Sequence, residues 1–249
     1  MALPRRVDVA LICGGQYHDM DYARLELLQH CAAWPQLRVR VAENYDCVPA
    51  LDAAQCLLTY TCNVVPSDSQ RQALERLLAR GGRWFALHGT NSLLAWSREH
   101  KAWFAPRSAP EFMTLLGSQF IAHPPIAPYR VDVSDPDHEL VRGLEPFETD
   151  DELYLCEYHG DHHALLHTEF RGAAPGFVEH DWSHGGRQLV LYLRRVGGGE
   201  VLYCTLGHCR GQYDMQPLMA EYPQIERGSW KLPAFHEIVR RGIRWAARL

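Results

Sequence analysis

The sequence predicts an α/β fold in which helices cover a mostly parallel β-sheet. Apolar runs of strand length alternate with segments of helical spacing over the first ninety residues, and paired glycines end several of them. The 249 residues, 47% of them hydrophobic, are enough for one domain over residues 1–249 with a substantial core.

The first predicted elements follow in a regular order: a strand over 7–13, a helix over 22–33, strands over 37–42 and 56–60, a helix to residue 80 and a strand over 83–87. Pro66-Ser67-Asp68 begins that second helix and Gly81-Gly82 ends it. Further along we predict a short helix from 112 ending at Gly117, a loop over 121–125, a strand over 129–133, a hairpin of strands 188–195 and 200–206, and a last helix over 234–247.

Composition excludes several function classes. The net charge of −5 and the lack of a basic stripe argue against a nucleic-acid partner. No apolar run approaches the ~20 residues of a membrane helix, and no secretory signal is recognisable. The eight cysteines form no CxxC pair, a pattern typical of free thiols in a reducing compartment, so we expect a cytoplasmic protein. A homo-oligomer remains open.

His88 occupies the most informative position in the chain. The buried strand 83–87 runs directly into His88-Gly89-Thr90-Asn91, and a helix over 92–96 is expected to follow. This strand–turn–helix layout is that of a nucleophile elbow, which lifts one side chain out of the top of a sheet. An imidazole there acts as general base, proton shuttle or metal ligand rather than as a covalent nucleophile.

Polar residues follow three of the predicted strands, within the segments 14–19, 61–63 and 88–91. Because ligands of parallel sheets bind beyond the carboxyl ends of the strands, these loops predict one common site.

Six segments, taken together, resemble the ThuA-like (trehalose utilisation) family over nearly the whole chain: Tyr17-His18-Asp19, Leu87-His88-Gly89, Gly117 to Pro124 with Phe120 and His123, Asp151-Glu152-Leu153-Tyr154, Leu206-Gly207-His208 and Gly242 to Ala247. The resemblance implies a flavodoxin-like fold, similar to that of the class I glutamine amidotransferases. It also implies a role in catabolism of trehalose and related disaccharides through 3-keto sugars.

Glutaminase chemistry does not fit these residues. It needs a cysteine on the elbow, a histidine after a late strand and a glutamate two positions further on. His208 matches the histidine, but His88 replaces the cysteine and Arg210 replaces the glutamate. We therefore expect no glutaminase activity unless Cys62 or Cys209 substitutes from a neighbouring loop.

The histidines and the glutamate in these segments suit acid–base chemistry on a carbohydrate. We predict His88, His208 and Glu152 as catalytic residues, because two imidazoles and a carboxylate can remove a proton beside a carbonyl and protonate its oxygen. The predicted substrate-binding residues are His18, Asp19, Asn91, His123, Tyr154 and Tyr213. Trp96 or Trp182 is a candidate stacking face, and Asp19 is equally a candidate helix cap.

The same groups have the composition of a metal site. His18, His88 and His208, with Glu152, match the ligand types of a zinc centre that keeps one position for water. The histidines within 159–167 are more conspicuous, but solvated loop histidines explain them better. No nucleotide cofactor is expected.

Two function classes follow. The first is an enzyme acting on a keto-sugar or glycoside by acid–base or metal-assisted isomerisation, elimination or hydrolysis. The alternative is a non-catalytic sugar-binding or scaffold module that kept the amidotransferase-like fold. Four ionisable groups at one edge favour the enzyme, because a binding module would use neutral amides and aromatic rings.

Overall fold

A computed structural model describes residues 5–249. Its helices are α1 (Met20–Ala32), α2 (Val48–Ala53), α3 (Asp68–Ala79), α4 (Pro110–Leu116) and α5 (Pro233–Ala247). Its strands are β1 (Val7–Gly15), β2 (Leu37–Ala42), β3 (Cys56–Cys62), β4 (Arg83–Leu87), β5 (Ala95–Ser97), β6 (Ala102–Phe104), β7 (Ser118–Ala122), β8 (Tyr129–Val133), β9 (Phe147–Thr149), β10 (Leu155–Tyr158), β11 (His163–Ala173), β12 (Asp181–Val196) and β13 (Gly199–Cys204).

The central sheet has nine strands in the order β2-β1-β3-β4-β13-β12-β11-β8-β9. The five strands from β2 to β13 are parallel, and the remaining four extend the sheet in antiparallel pairs. The predicted α/β fold with a largely parallel sheet is confirmed. The turn at Gly197-Gly198 joins β12 and β13, as the hairpin prediction required.

Helices pack on both faces of the sheet, and the alternation of side chains along β1 shows why. Val9 and Leu11 contribute to the core beneath α1 and α5, whereas Ala10 and Ile12 contribute to the core beneath α2, α3 and α4. All seven residues of β3 are buried, as expected for a strand covered on both sides.

Most predicted elements lie where expected, with ends displaced by one to three residues. The helix α3 begins at Ser67, whose side chain forms a capping box with Gln70. Gly117 ends α4 in the left-handed conformation, with a φ of 92°. The short helix α2 and the long strand β11 were not predicted.

Three local predictions are wrong. His88 to Asn91 form one 3-10 turn, and the short hairpin of β5 and β6 follows where we expected a helix over 92–96. Residues 118–122 form the strand β7, which pairs with β10, rather than the end of a helix and a loop. Most of the segment 159–167 is not a loop, because β11 begins at His163.

Within residues 5–249, none of the helices combines the length and the apolarity needed to cross a bilayer.

The close packing of α5 on the sheet depends on Gly242. A Cβ atom there would lie 2.6 Å from Cζ of Phe85, a fully buried ring of β4. In an ordinary helix Gly→Ala stabilises by about 1 kcal/mol, but we expect Gly242→Ala to lower the free energy of unfolding by about 1–3 kcal/mol through overpacking.

Urea denaturation of the Gly242→Ala variant measures this effect. The double variant Gly242→Ala/Phe85→Leu should recover part of the loss, because the smaller side chain makes room for the new methyl group. A stabilised single variant would show that the packing of α5 on β4 is looser than described.

Candidate metal centre

The carboxyl ends of four neighbouring parallel strands form the floor of a cavity. The chain leaves β1, β3 and β4 through non-glycine residues with positive φ: 68° at Tyr17, 57° at Asn63 and 44° at His88. Such conformations cost of order 1–3 kcal/mol each and tend to cluster at functional sites. Gly15 lies so close to β3 that a Cβ atom would overlap the carbonyl oxygen of Cys62.

His88 is fully buried at the end of β4 and held from two sides. Its Nδ1 lies 2.8 Å from the carbonyl oxygen of Thr205, which follows β13. Its own carbonyl oxygen accepts a hydrogen bond from the Tyr203 hydroxyl. Because a carbonyl oxygen only accepts, Nδ1 carries the hydrogen and the lone pair of neutral His88 is on Nε2.

His18 faces His88 from the loop after β1. Its Nδ1 lies 3.1 Å from the carbonyl oxygen of Gln16, so by the same reasoning its lone pair is on Nε2. The two Nε2 atoms are 2.9 Å apart. Two neutral imidazoles thus direct their lone pairs at the same point, an arrangement that needs a proton or a cation between them.

His208 completes the group from the loop after β13. Its Nε2 lies 2.6 Å from Glu226 Oε2, so in the neutral form, which metal binding requires, the hydrogen is on Nε2 and the lone pair on Nδ1. That Nδ1 is buried and makes no hydrogen bond. The backbone N–H of His208 donates to the buried carboxylate of Asp151.

Glu152 places its carboxylate among the three rings. Oε2 lies 3.5 Å from His88 Nε2 and 3.8 Å from His18 Nε2, and Oε1 lies 3.2 Å from His208 Nδ1. One ligand atom from each of the four residues lies within 4.8 Å of all the others. Zn–N bonds of 2.0–2.1 Å in a tetrahedron imply ligand separations of about 3.3 Å, so small adjustments would suffice.

The donor set fits a divalent metal such as zinc. Each imidazole presents a lone pair to the centre while its other nitrogen donates outward, to Gln16, Thr205 or Glu226. Outward acceptors of this kind fix the tautomer and orientation of metal-binding histidines. We call His18, His88, Glu152 and His208 the His/Glu cluster.

Burial and neighbouring charges shift the pKa values of the cluster residues in opposite directions. Burial lowers the pKa of His18 to about 4, despite the nearby Glu152 carboxylate. Burial also disfavours the charged form of His208, but Glu152 and Glu226 outweigh it and raise its pKa to about 10. Burial opposes ionisation of Glu152, yet His208 and His123 keep its pKa well below the usual range.

Two of the predicted substrate-binding residues line the cavity beside the cluster. The hydroxyl of Tyr154 lies 3.2 Å from His88 Nε2 and accepts from Ser92. His123 Nε2 lies 3.8 Å from Glu152 Oε1, and a quarter of its side chain is exposed. His18, the third, belongs to the cluster itself.

The other three lie elsewhere. Asp19 caps α1 through the N–H of Tyr22 and pairs with Arg227, in agreement with the capping alternative. Asn91 is fully buried against Ser118 and does not line the cavity. Tyr213 is 68% exposed and points away from the cavity.

The histidines within 159–167 do not converge. Their nearest polar partners are the scattered groups Glu157, Gly117, Asp135 and Ser134. In residues 5–249 the His/Glu cluster is the one group of metal-ligand type.

Sequence reasoning missed several residues around the cavity. Glu226 and Arg210 form an ion pair of 2.7 Å, and Glu226 orients His208. Trp103, rather than the expected Trp96 or Trp182, lines the cavity. The only sequence signal for Glu226 is its place in the aromatic-rich segment after β13, of which Met215 and Tyr222 also line the cavity.

The comparison with protein families assigns the chain to a family. The sequence model of the trehalose utilisation (ThuA) family matches residues 8–221. The chain therefore belongs to the ThuA family. No curated protein matches it.

Solved structures show the same fold. A ThuA-like protein from Parabacteroides merdae has 16% identity and a TM-score of 0.66, with 98% of this chain and 90% of that chain covered. One from Bacteroides uniformis has 14% identity and a TM-score of 0.67, with 99% and 93% covered. A β-galactosidase from Rahnella sp. R3 has 13% identity and a TM-score of 0.57, with 98% of this chain but only 32% of that chain covered.

Asp151 offers a test of how the cluster is supported. Its carboxylate accepts hydrogen bonds from the backbone N–H groups of Gly207, His208 and Ser229. We expect Asp151→Asn to lower the free energy of unfolding by about 3 kcal/mol, because an amide NH₂ would face backbone donors in a buried site.

The neighbouring Asp150 supplies the matched control. It is exposed and pairs with Lys231 at 3.1 Å, so Asp150→Asn should cost less than about 1 kcal/mol. Urea denaturation compares the two variants. Equal losses would show that the Asp151 contacts contribute no more than a surface ion pair.

The two perturbed histidines predict a pH dependence of the chelator-treated protein. Unfolded histidines titrate near pH 6.5. With a folded pKa of about 4, His18 makes stability rise between pH 4 and 6.5; with a folded pKa of about 10, His208 makes it fall between pH 6.5 and 10.

Urea midpoints measured from pH 4.5 to 9.5 check this prediction. His18→Gln should flatten the acidic limb and His208→Gln the alkaline limb. Parallel profiles for the parent protein and both variants would contradict the assigned protonation states.

Proposed function

We propose that this ThuA-family protein is a carbohydrate-catabolic enzyme that holds a divalent metal, such as zinc, in the His/Glu cluster. It would act on a keto-sugar or glycoside by metal-assisted or acid–base isomerisation, elimination or hydrolysis. The family's link to trehalose utilisation supports the carbohydrate, and the donor set supports the metal.

One observation carries the proposal. The Nε2 lone pairs of His18 and His88 meet at 2.9 Å while both Nδ1 atoms donate to carbonyl oxygens. Tyr154 can donate to His88, but His18 Nε2 has no donor of its own. A cation between the rings would satisfy both lone pairs together with that of His208 Nδ1.

The cluster defines what the chain's own residues can do. A metal bound there would polarise a hydroxyl or keto oxygen of the substrate. Glu152 is the carboxylate best placed to take a proton from a carbon or water beside that oxygen, because it borders the cavity and lies among the three rings, whereas Glu226 is paired with Arg210. Burial keeps the Tyr154 hydroxyl protonated by raising its pKa, so Tyr154 can donate to a substrate oxygen.

The thiols do not support glutaminase chemistry. Burial raises the pKa of Cys62 and of Cys209, so neither side chain is a thiolate at neutral pH. All eight cysteines are free, which supports the proposal of a reducing compartment such as the cytoplasm.

Metal analysis of the purified protein tests the proposal. We expect about one equivalent of a divalent metal, and a loss of at least tenfold in metal content or affinity for His88→Ala, because each histidine supplies one lone pair. The matched control is His180→Ala, an exposed histidine whose Nδ1 contacts only the carbonyl oxygen of Val178.

A second measurement separates metal binding from catalysis. The loaded protein should consume 3-keto-disaccharides or exchange their C2 proton with solvent, and Glu152→Gln should abolish this activity; the metal content of this variant, measured alongside, shows whether the loss comes from the missing base or from a missing metal. Metal bound with no reaction on any keto-sugar would contradict the enzymatic role. Equal metal content in the parent and His88→Ala proteins would contradict the metal centre.

A further inference from the structure

The cavity above the His/Glu cluster has an ionisable floor but largely apolar walls. Its volume is about 470 Å³, which is within the range of small-molecule sites and leaves room for roughly 15 water molecules. The side chains that line it outside the cluster are mostly apolar and include five aromatic rings, those of Tyr17, Trp103, Phe120, Phe177 and Tyr222. This space exceeds what one sugar ring over the cluster would fill.

The aromatic wall around Trp103 is held in place by the backbone. The N–H of Trp103 donates to the carbonyl oxygen of Gly176, and its carbonyl oxygen accepts from the N–H of Val178. The indole packs edge-on against Tyr17 at 5.6 Å and against Trp96 at 5.3 Å, measured between ring centroids. A preformed wall of this kind favours a rigid, flat ligand, because little ordering is needed on binding.

A second group of aromatic rings, in edge-to-face and tilted contacts, connects the wall of the cavity to the cluster at its floor. Phe177, only 7% exposed, packs on Phe120 at 5.9 Å, and Phe120 packs on Tyr154 at 4.5 Å. Tyr154 in turn packs on His88 at 4.7 Å. An apolar surface therefore runs from the cluster to Phe177 at the wall.

The charged side chains that line the cavity restrict the class of ligand further. Arg210 is the one guanidinium among the described residues that line the cavity, and Glu226 neutralises it at 2.7 Å while Tyr222 stacks on it at 4.9 Å. The Glu152 and Glu226 carboxylates border the same space. Outside the cluster, a phosphate or carboxylate on the ligand would find no free cation among these side chains, and the Glu226 carboxylate would repel it.

We infer that the site takes a neutral glycoside whose aglycone is an apolar ring, with the sugar over the His/Glu cluster and the aglycone against Tyr17 and Trp103. This inference rests on the proposed function and specifies its substrate class. A sugar can also pack its C–H face on an aromatic ring, but an aryl group buries more apolar surface there and carries no hydroxyl groups that need hydrogen-bond partners.

Calorimetric titration of the metal-loaded protein tests the inference. The probes are methyl glucoside, phenyl glucoside (each as both anomers) and trehalose. We expect phenyl glucoside of the better anomer to bind at least tenfold more tightly than methyl glucoside and trehalose. Trp103→Ala and Tyr17→Ala should each remove most of that preference while leaving metal content and methyl glucoside affinity unchanged.

Trp96→Ala is the matched control. Trp96 lies on the same hairpin and touches Trp103, but it is half exposed and does not line the cavity, so its removal should preserve the preference. Tyr17→Ala keeps the test decisive if Trp103→Ala fails to fold. Trehalose binding as tightly as phenyl glucoside, or a preference that survives both variants, would overturn the aglycone assignment and leave the proposed function standing. Metal binding with no affinity for any of the three sugars would overturn this inference, and the assay with 3-keto-disaccharides would then decide the proposed function separately.

Discussion

The buried carboxylate of Asp151 joins three segments that are distant in sequence. It receives N–H groups from Gly207 and His208 after β13 and from Ser229 before α5, and its neighbour in the chain is Glu152. A carboxylate surrounded by backbone donors forms strong, directional hydrogen bonds. The relative positions of Glu152 and His208, two members of the His/Glu cluster, follow directly from this one group.

The remaining two members are positioned by the parallel sheet. His18 and His88 follow the strands β1 and β4, which lie on either side of β3, and each is turned inward by a carbonyl acceptor. The cluster therefore combines rigid strand ends with a hydrogen-bonded loop. The strand ends and the loop together hold the lone pairs of His18 and His88 toward one point, although two neutral imidazoles whose lone pairs face each other repel.

The segment from Arg210 to Glu226 has two functions at once. Met215 and Tyr222 form part of the cavity wall, while Glu226 fixes the orientation of His208. The Arg210–Glu226 ion pair and the backbone hydrogen bonds between the same two residues tie the ends of the segment together. The cavity wall and the outer support of the candidate metal centre are thus parts of one structure, which links the shape of the substrate site to the geometry of the cluster.

The sequence by itself determined the α/β class, the first parallel strands and the approach of His18 and His88, because hydrophobic periodicity and the rule for strand ends are local properties of the chain. Glu152 and His208 were added to that site through the resemblance to the ThuA-like family. It misplaced the segment after His88, since Ala95 to Ser97 pair with β6 and this pairing overrides local helical preference. Only the tertiary structure decided that Asp19 caps a helix, that Tyr213 points to solvent and that Glu226 and Trp103 border the site. The reason is physical: which side chains meet across a cavity depends on how distant loops pack, and no periodicity in the sequence records that packing.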